Sequence, residues 1–182
     1  EHPGGSLIND RAIDAAIQEH VLDGNDVTTL RTALNVLGDG FVEAIADSTI
    51  KSIAERQPAQ SGGKIAGKVI MVPVLEANGV TRVARFGWKN QHASLLSFAA
   101  DAYLNEMGIT SPLQPTENTS LGRSVAAYDQ APDPEDEGGV DVEAFARFMR
   151  ATKVPPRDTR LAATANARTG SIARRRPAPA IH

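Results

Sequence analysis

Asn78-Gly79 lies between two runs rich in β-branched residues, Val69 to Leu75 and Val80 to Phe86. Asn-Gly readily takes positive φ at both central positions of a tight turn, so this dipeptide between apolar runs predicts a β-hairpin. A turn centred on Asn78 and Gly79 pairs Val74 with Val83 and Val72 with Arg85. Pro73 has no N–H to give a ladder, which makes its strand an edge or ends it at the proline. A single hairpin is marginal in water, so it must lean on other elements.

Those other elements read as helices. Asp10 is suited to cap a helix through Leu22 with Ile13, Ala16, Ile17 and Val21 at helical spacing, and a second helix from near Thr28 would bury Leu30, Ala33, Leu34 and Leu37. Gly38-Asp39-Gly40 breaks that run. Short helices follow over Phe41 to Ile45 and over Ile50 to Arg56, the latter capped by Asp47 or Ser48 and closed by Pro58. A central helix runs from near Gln91 to Gly108, a residue suited to the left-handed position that ends a helix. At 100° per residue, Ser94, Ser97, Asp101 and Asn105 share a narrow polar face, opposite Leu95, Leu96, Ala99, Tyr103 and Met107.

Residues Thr110 to Ala131 have no sustained period and read as an ordered loop. The run Asp133 to Asp141 begins like a calcium loop, but its twelfth position is Ala144, so a solvated acidic loop is the preferred reading. Asp141 would cap a last helix to about Thr152, with Val140 and Phe145 as a hydrophobic staple, Phe148 and Met149 buried, and Glu143 paired with Arg147. Lys153-Val-Pro-Pro-Arg157 stops it.

The predicted fold is therefore mainly α, with five or six helices and one hairpin over Val69–Phe86. A helical domain covers residues 1–158, and a basic Ala/Arg/Pro tail covers 159–182, irregular and disordered. Residues 155–182 carry six arginines against the single Asp158, a charge of +5, which leaves −8 for the remainder of a chain with net charge −3. Without interleaved aromatics, Arg174-Arg175-Arg176 does not make a nucleic-acid arm, and no nucleic-acid partner is expected. No stretch reaches the roughly eighteen apolar residues of a membrane span, and Glu1-His2-Pro3-Gly4-Gly5 lacks the features of a signal peptide. With no cysteine among the 182 residues, disulfides, thiolate metal sites and thioether-linked haem are all excluded.

Four segments resemble the bacterial di-haem oxidoreductases, also described as di-haem peroxidases or thiol-oxidoreductase-like proteins with two Cys-x-x-Cys motifs. They are RFGWKNQ (Arg85 to Gln91), NEMGITSPL (Asn105 to Leu113), LGDGFVEAIADSTI (Leu37 to Ile50, with Ala46 where proline is usual) and FMRATKVPPR (Phe148 to Arg157). The resemblance covers most of the chain from about residue 30 to about residue 160. It implies a cytochrome-c-peroxidase-like domain, haem c as cofactor, peroxidase-like electron transfer from a small electron-carrier protein, and a periplasmic or otherwise extracytoplasmic location.

The family holds haem through Cys-x-x-Cys-His. If His182 is laid on the ligand histidine, Ala178 and Ile181 stand in the cysteine places, so the resemblance describes an incomplete member that does not attach haem covalently by itself. Two roles stay open: part of a di-haem c-type oxidoreductase, or a haem-free structural or interaction module that has lost the redox chemistry.

Three residues are candidates for a haem environment. The Met107 thioether is either an axial haem-iron ligand or a core filler beside Leu96 and Tyr103. Trp88, the single tryptophan, either lies between redox centres or anchors a strand-to-helix corner. Lys89 either faces a propionate or is only solvated. An apolar recess is expected beside Met107 and Trp88. His92 and Met107 are fifteen residues apart, about 22 Å along a helix, and cannot share one iron.

Overall fold

A computed structural model describes residues 7–21, 23–24, 27–156 and 158–159. The basic tail and the His182 alignment lie outside the described residues, apart from Thr159. The described elements comprise four α-helices and one two-stranded hairpin. The described residues through Thr152 form one compact unit.

The first two expected helices are absent. Over residues 7–21 there is one 3₁₀ turn, Ala15–Ile17, whose cap is Asp14 rather than Asp10: its side chain accepts from Ala16 N at 2.7 Å. Residues 27–36 are irregular. Leu30 is fully exposed and Ile13 nearly so. Short helices are marginal in water unless an apolar face is buried, and these faces find no partner.

Helix α1 is Asp39–Glu43 and α2 is Asp47–Ser61. Pro58 does not close α2. The helix runs one turn further to Gly62, whose φ of 61° ends it. A proline is tolerated here because α2 buries no residue, so a local bend displaces no packing.

The hairpin forms in a different register. Strands β1 (Met71–Pro73) and β2 (Thr81–Val83) pair Met71 with Val83, Val72 with Arg82 and Pro73 with Thr81. The strand does end at Pro73. A longer connection replaces the two-residue turn, closed by Val74 N donating to Val80 O at 2.9 Å, with Gly79 at φ 75°. Leu75 and Glu76 are drawn out of the ladder by the third helix: Leu75 N donates to Ser97 Oγ at 3.0 Å, and Ser97 Oγ donates to Glu76 Oε2 at 2.7 Å. These tertiary bonds outweigh the local turn preference.

Helix α3 is Leu95–Ala102, shorter than expected at its start because Gln91 and His92 pair with Phe86 instead. Ser94 caps it, accepting from Ser97 N at 3.0 Å. Ser94 and Ser97, assigned to a polar outer face, are both buried against the hairpin connection. After Ala102 the chain continues as a π turn, Tyr103–Met107, and Gly108 at φ 68° stops it as expected.

Helix α4 is Val140–Ala151. Its N-cap is Gly139 rather than Asp141, and the first-turn N–H groups are met from upstream: the buried Asp136 carboxylate accepts from Asp141 N at 3.2 Å and Val142 N at 3.1 Å. The acidic run is thus partly structural and not simply solvated. Met149 is buried as expected, whereas Phe148, Val140 and Phe145 are exposed and form no staple. Glu143 and Arg147 pair across one turn at 3.9 Å.

The core is the crossing of α3 and α4. Phe86, Leu95, Ala99, Ala100, Tyr103, Val142, Ala146 and Met149 form it, with Val36, Val42, Leu96 and Phe98 among the partly buried residues at its edge. Ala99 and Ala100 facing Ala146 let the two helix backbones approach closely. Residues 110–131 form the expected irregular loop, with isolated bridges at Ser111–Gln114 and Ser120–Arg123.

Candidate functional site

Two side chains fix the frame that carries the corner after β2. The side chain of Arg85 is buried and forms an ion pair with Asp47, while its guanidinium donates to the carbonyls of Val42, Glu43 and Ile45 at 3.2, 3.1 and 2.6 Å. It thereby satisfies the open carbonyls at the end of α1 and ties the start of α2 to the hairpin. Asp47 Oδ2 also accepts from Val83 N at 2.8 Å. Burial opposes ionisation of Asp47, but the Val83 N–H together with the Arg82 and Arg85 guanidiniums holds the carboxyl below its usual range.

Glu43 is the second fastener. It accepts from Arg150 Nε and Nη2 at 2.6 and 2.9 Å, and its Oε1 also accepts from Leu95 N at 2.7 Å, so one carboxylate joins α1, α3 and α4. Burial works against its charge, but Arg150 with the Leu95 N–H outweighs it and holds the Glu43 carboxyl below the ordinary glutamate range.

The corner itself is the loop Gly87 to Gln91, closed by a bridge between Phe86 and His92. Gly87 has φ 85°, a left-handed conformation that calls for glycine, while the nearest atom to a Cβ there, Gln91 Oε1, ends a flexible side chain that can swing aside. The loop presents Trp88, 52% exposed, and the exposed Lys89. Trp88 Nε1 donates to Thr32 O at 3.2 Å, and the Arg31 guanidinium lies over its ring at 5.8 Å. Trp88 is thus a half-exposed aromatic at the corner, fastened to residues 31–32.

Met107 ends the π turn and is 54% exposed. A π turn advances less than 100° per residue, so the helical wheel that put Met107 beside Tyr103 fails over this segment. Tyr103 stays inside, edge-on to Phe145 at 5.4 Å, while Met107 turns outward and does not fill the core. No hydrogen bond or ring contact joins Trp88 to Met107 among the described residues. A shallow, open groove lies between α2 and the approach to β1, lined by Lys51, Ala54, Glu55, Gly67, Val69 and Met71, and it includes none of the three candidates.

Sequence reading missed a cluster of carboxylates. Oxygens of Glu117, Asp133 and Glu135 lie within 4.8 Å of one another. Thr110 organises two of them, its N donating to Glu135 Oε2 at 2.7 Å and its hydroxyl lying within hydrogen-bond reach of both Asp133 and Glu135, with one proton to give. Partial burial, then the charges of Asp133, Glu135 and Asp129, raise the proton affinity of Glu117. The calcium-loop pattern does not describe this group, since Ala144, its twelfth position, lies within α4.

Compared with known families, residues 9–155 match the model described as "di-haem oxidoreductase, putative peroxidase". The chain belongs to this family. The match takes in Arg85, Trp88, Lys89 and Met107 together with both fasteners, so the framework just described is that of a di-haem oxidoreductase family member. No curated protein sequence and no solved structure matches the chain. Among the described residues, no helix is long and apolar enough to cross a membrane.

Proposed function

We propose that the chain contributes to a di-haem c-type oxidoreductase with a cytochrome-c-peroxidase-like fold, in which Trp88, Lys89 and Met107 form the non-covalent part of a haem environment. The observation that carries this reading is the π turn that ends at Met107 and leaves a thioether half-exposed beside Gly108. Single π turns inside helices recur at functional sites because they break packing register to re-aim a side chain. A thioether so placed suits axial ligation of haem iron, the exposed indole of Trp88 offers a flat apolar surface, and Lys89 supplies a cation for a propionate.

The residues fit such a group only in part. Thioether attachment needs cysteine sulfur, and the chain has none. His92 points into the protein against Asp101, so it supplies no ligand from this face. When bound, haem supplies one-electron chemistry, and this chain's share is to hold and orient it. The same reading places the protein outside the cytoplasm, with a small electron-carrier protein as donor, and puts the edge of the helical domain near residue 158, before the basic tail.

The complete lack of cysteine favours a second reading, a haem-free structural or interaction module that retains the family framework. A pyridine haemochrome assay on protein made in a cytochrome-c-maturing host separates the two. Haem that copurifies and is released by acid–acetone extraction supports the first; protein that emerges without haem and gains none from added haemin supports the second.

A further inference from the structure

The loop that presents Trp88 stands on one residue pair. Arg85 N and Phe86 N donate to His92 O at 2.9 and 3.0 Å, and Gln91 N and His92 N donate to Phe86 O at 2.9 and 3.2 Å. His92 holds the loop with its backbone and sends its side chain inward. The imidazole is buried, tilted against Phe98 at 6.1 Å, and Phe98 stacks on Phe86 at 6.2 Å. Its Nε2 lies 3.2 Å from Asp101 Oδ2 on α3.

A polar chain continues from Asp101. Asn105 Nδ2 donates to Asp101 Oδ1 and to Asp101 O, each at 3.0 Å, and Asn118 Nδ2 donates to Asn105 Oδ1 at 2.9 Å. The base of the Trp88 loop is thus connected, along α3, to the π turn that carries Met107 and to the loop beyond it.

The contact between His92 and Asp101 is close, yet Nε2 is not aligned as a hydrogen-bond donor and has no other partner. A bare nitrogen lone pair facing a carboxylate repels it. A proton on Nε2 reverses the sign, and a full imidazolium makes the bond charge-assisted. We propose that the His92–Asp101 pair is an acid-strengthened clasp, in which protonation of His92 draws it onto Asp101 and tightens the Gly87–Gln91 loop around Trp88.

Apart from Lys89, the other charged groups around this corner are engaged elsewhere, Arg31 over the Trp88 ring. Arg85 is taken by Asp47 and the α1 carbonyls, and Arg82 also reaches Asp47. Glu43 is taken by Arg150 and Leu95 N, and Glu76 by Ser97. Lys89 is exposed on the loop itself. Asp101 is therefore the carboxylate that answers a charge on His92. The clasp closes when His92 gains a proton and loosens when it loses it. It acts in the haem-free chain, so it stands apart from the haem reading.

The single tryptophan makes the loop directly readable. Acrylamide quenching of Trp88 fluorescence is measured on the full chain from about pH 5 to about pH 8, the interval in which histidines exchange protons. The expected result is weaker quenching at the acid end, a step that is lost in His92→Gln and in Asp101→Asn and kept in the exposed-site control His20→Gln. A flat profile in the wild type, or a step that survives in His92→Gln or Asp101→Asn, overturns the clasp. Should Asp101→Asn lose its far-ultraviolet dichroism, Asp101→Glu serves instead: displacing the carboxylate by one methylene alters the size of the step, and an unaltered step contradicts the proposal.

Discussion

Arg85 and Asp47 form an ion pair that joins the strand-to-loop corner to the start of α2, with the Arg85 side chain only 3% exposed and that of Asp47 23%. Removing one partner of such a pair leaves the other charged in a place that water hardly reaches. Asp47→Ala, which strands Arg85 and also deprives Val83 N of its acceptor, is expected to cost about 3 kcal/mol in urea denaturation. Arg82, more exposed and 3.4 Å from the same carboxylate, is dispensable by comparison. Arg82→Ala is expected to cost about 0.5 kcal/mol or less.

Acid should weaken the same framework. Asp47 and Glu43 are both more acidic in the folded chain than free carboxyls. Their contribution is therefore fully present above the unfolded-state values near pH 4, and it is lost as pH falls through the lower folded-state values. Thermal unfolding followed from neutral pH downward should show Tm falling across that window. The fall should be shallower in Asp47→Asn, which has already lost the coupling.

Glu117 has the opposite sign. Its proton affinity is raised by burial and by Asp133, Glu135 and Asp129, so its charge opposes folding at neutral pH and the opposition is relieved as the group protonates. Glu117→Gln is expected to stabilise the protein by about 0.5 kcal/mol at pH 7 and to have little effect in acid. Urea midpoints at the two pH values test both halves.

Gly40 sits where α1 meets α4. A Cβ there would lie 2.6 Å from Arg150 O and 2.9 Å from Arg150 Cα, and backbone atoms cannot swing aside. Gly40→Ala should force the helices apart, weaken the Glu43–Arg150 pair and cost about 1–3 kcal/mol, measurable as a lowered urea midpoint.

What the sequence disclosed follows a physical line. Gly108 and Pro73 stop their elements because the constraint lies within the residue itself: left-handed φ in one case, a missing N–H in the other. The hairpin register and the cap of α4 were not legible, because Ser97 captures Leu75 and Glu76 from 21 or more positions away and Asp136 reaches past Asp141 to the helix start. The first two expected helices had the right period but no surface to bury it against, as the exposure of Leu30 shows. Trp88, Lys89 and Met107 were candidates by residue type alone, and the outward turn of Met107 depends on a π turn that a 3.6-residue period hides. The Glu117–Asp133–Glu135 group was hidden in another way, since Thr110 assembles it from separate segments.

The central claim is that the Met107 thioether is presented to a haem group. Haemin titrated into the full wild-type chain and into Met107→Ala, followed in the Soret region, tests it most directly. The account predicts that haemin binds without covalent linkage and that the Soret maximum of the bound form shifts in Met107→Ala, as expected when a sulfur ligand is removed from iron. The same Soret maximum in both proteins, or no binding by the wild type, would contradict it.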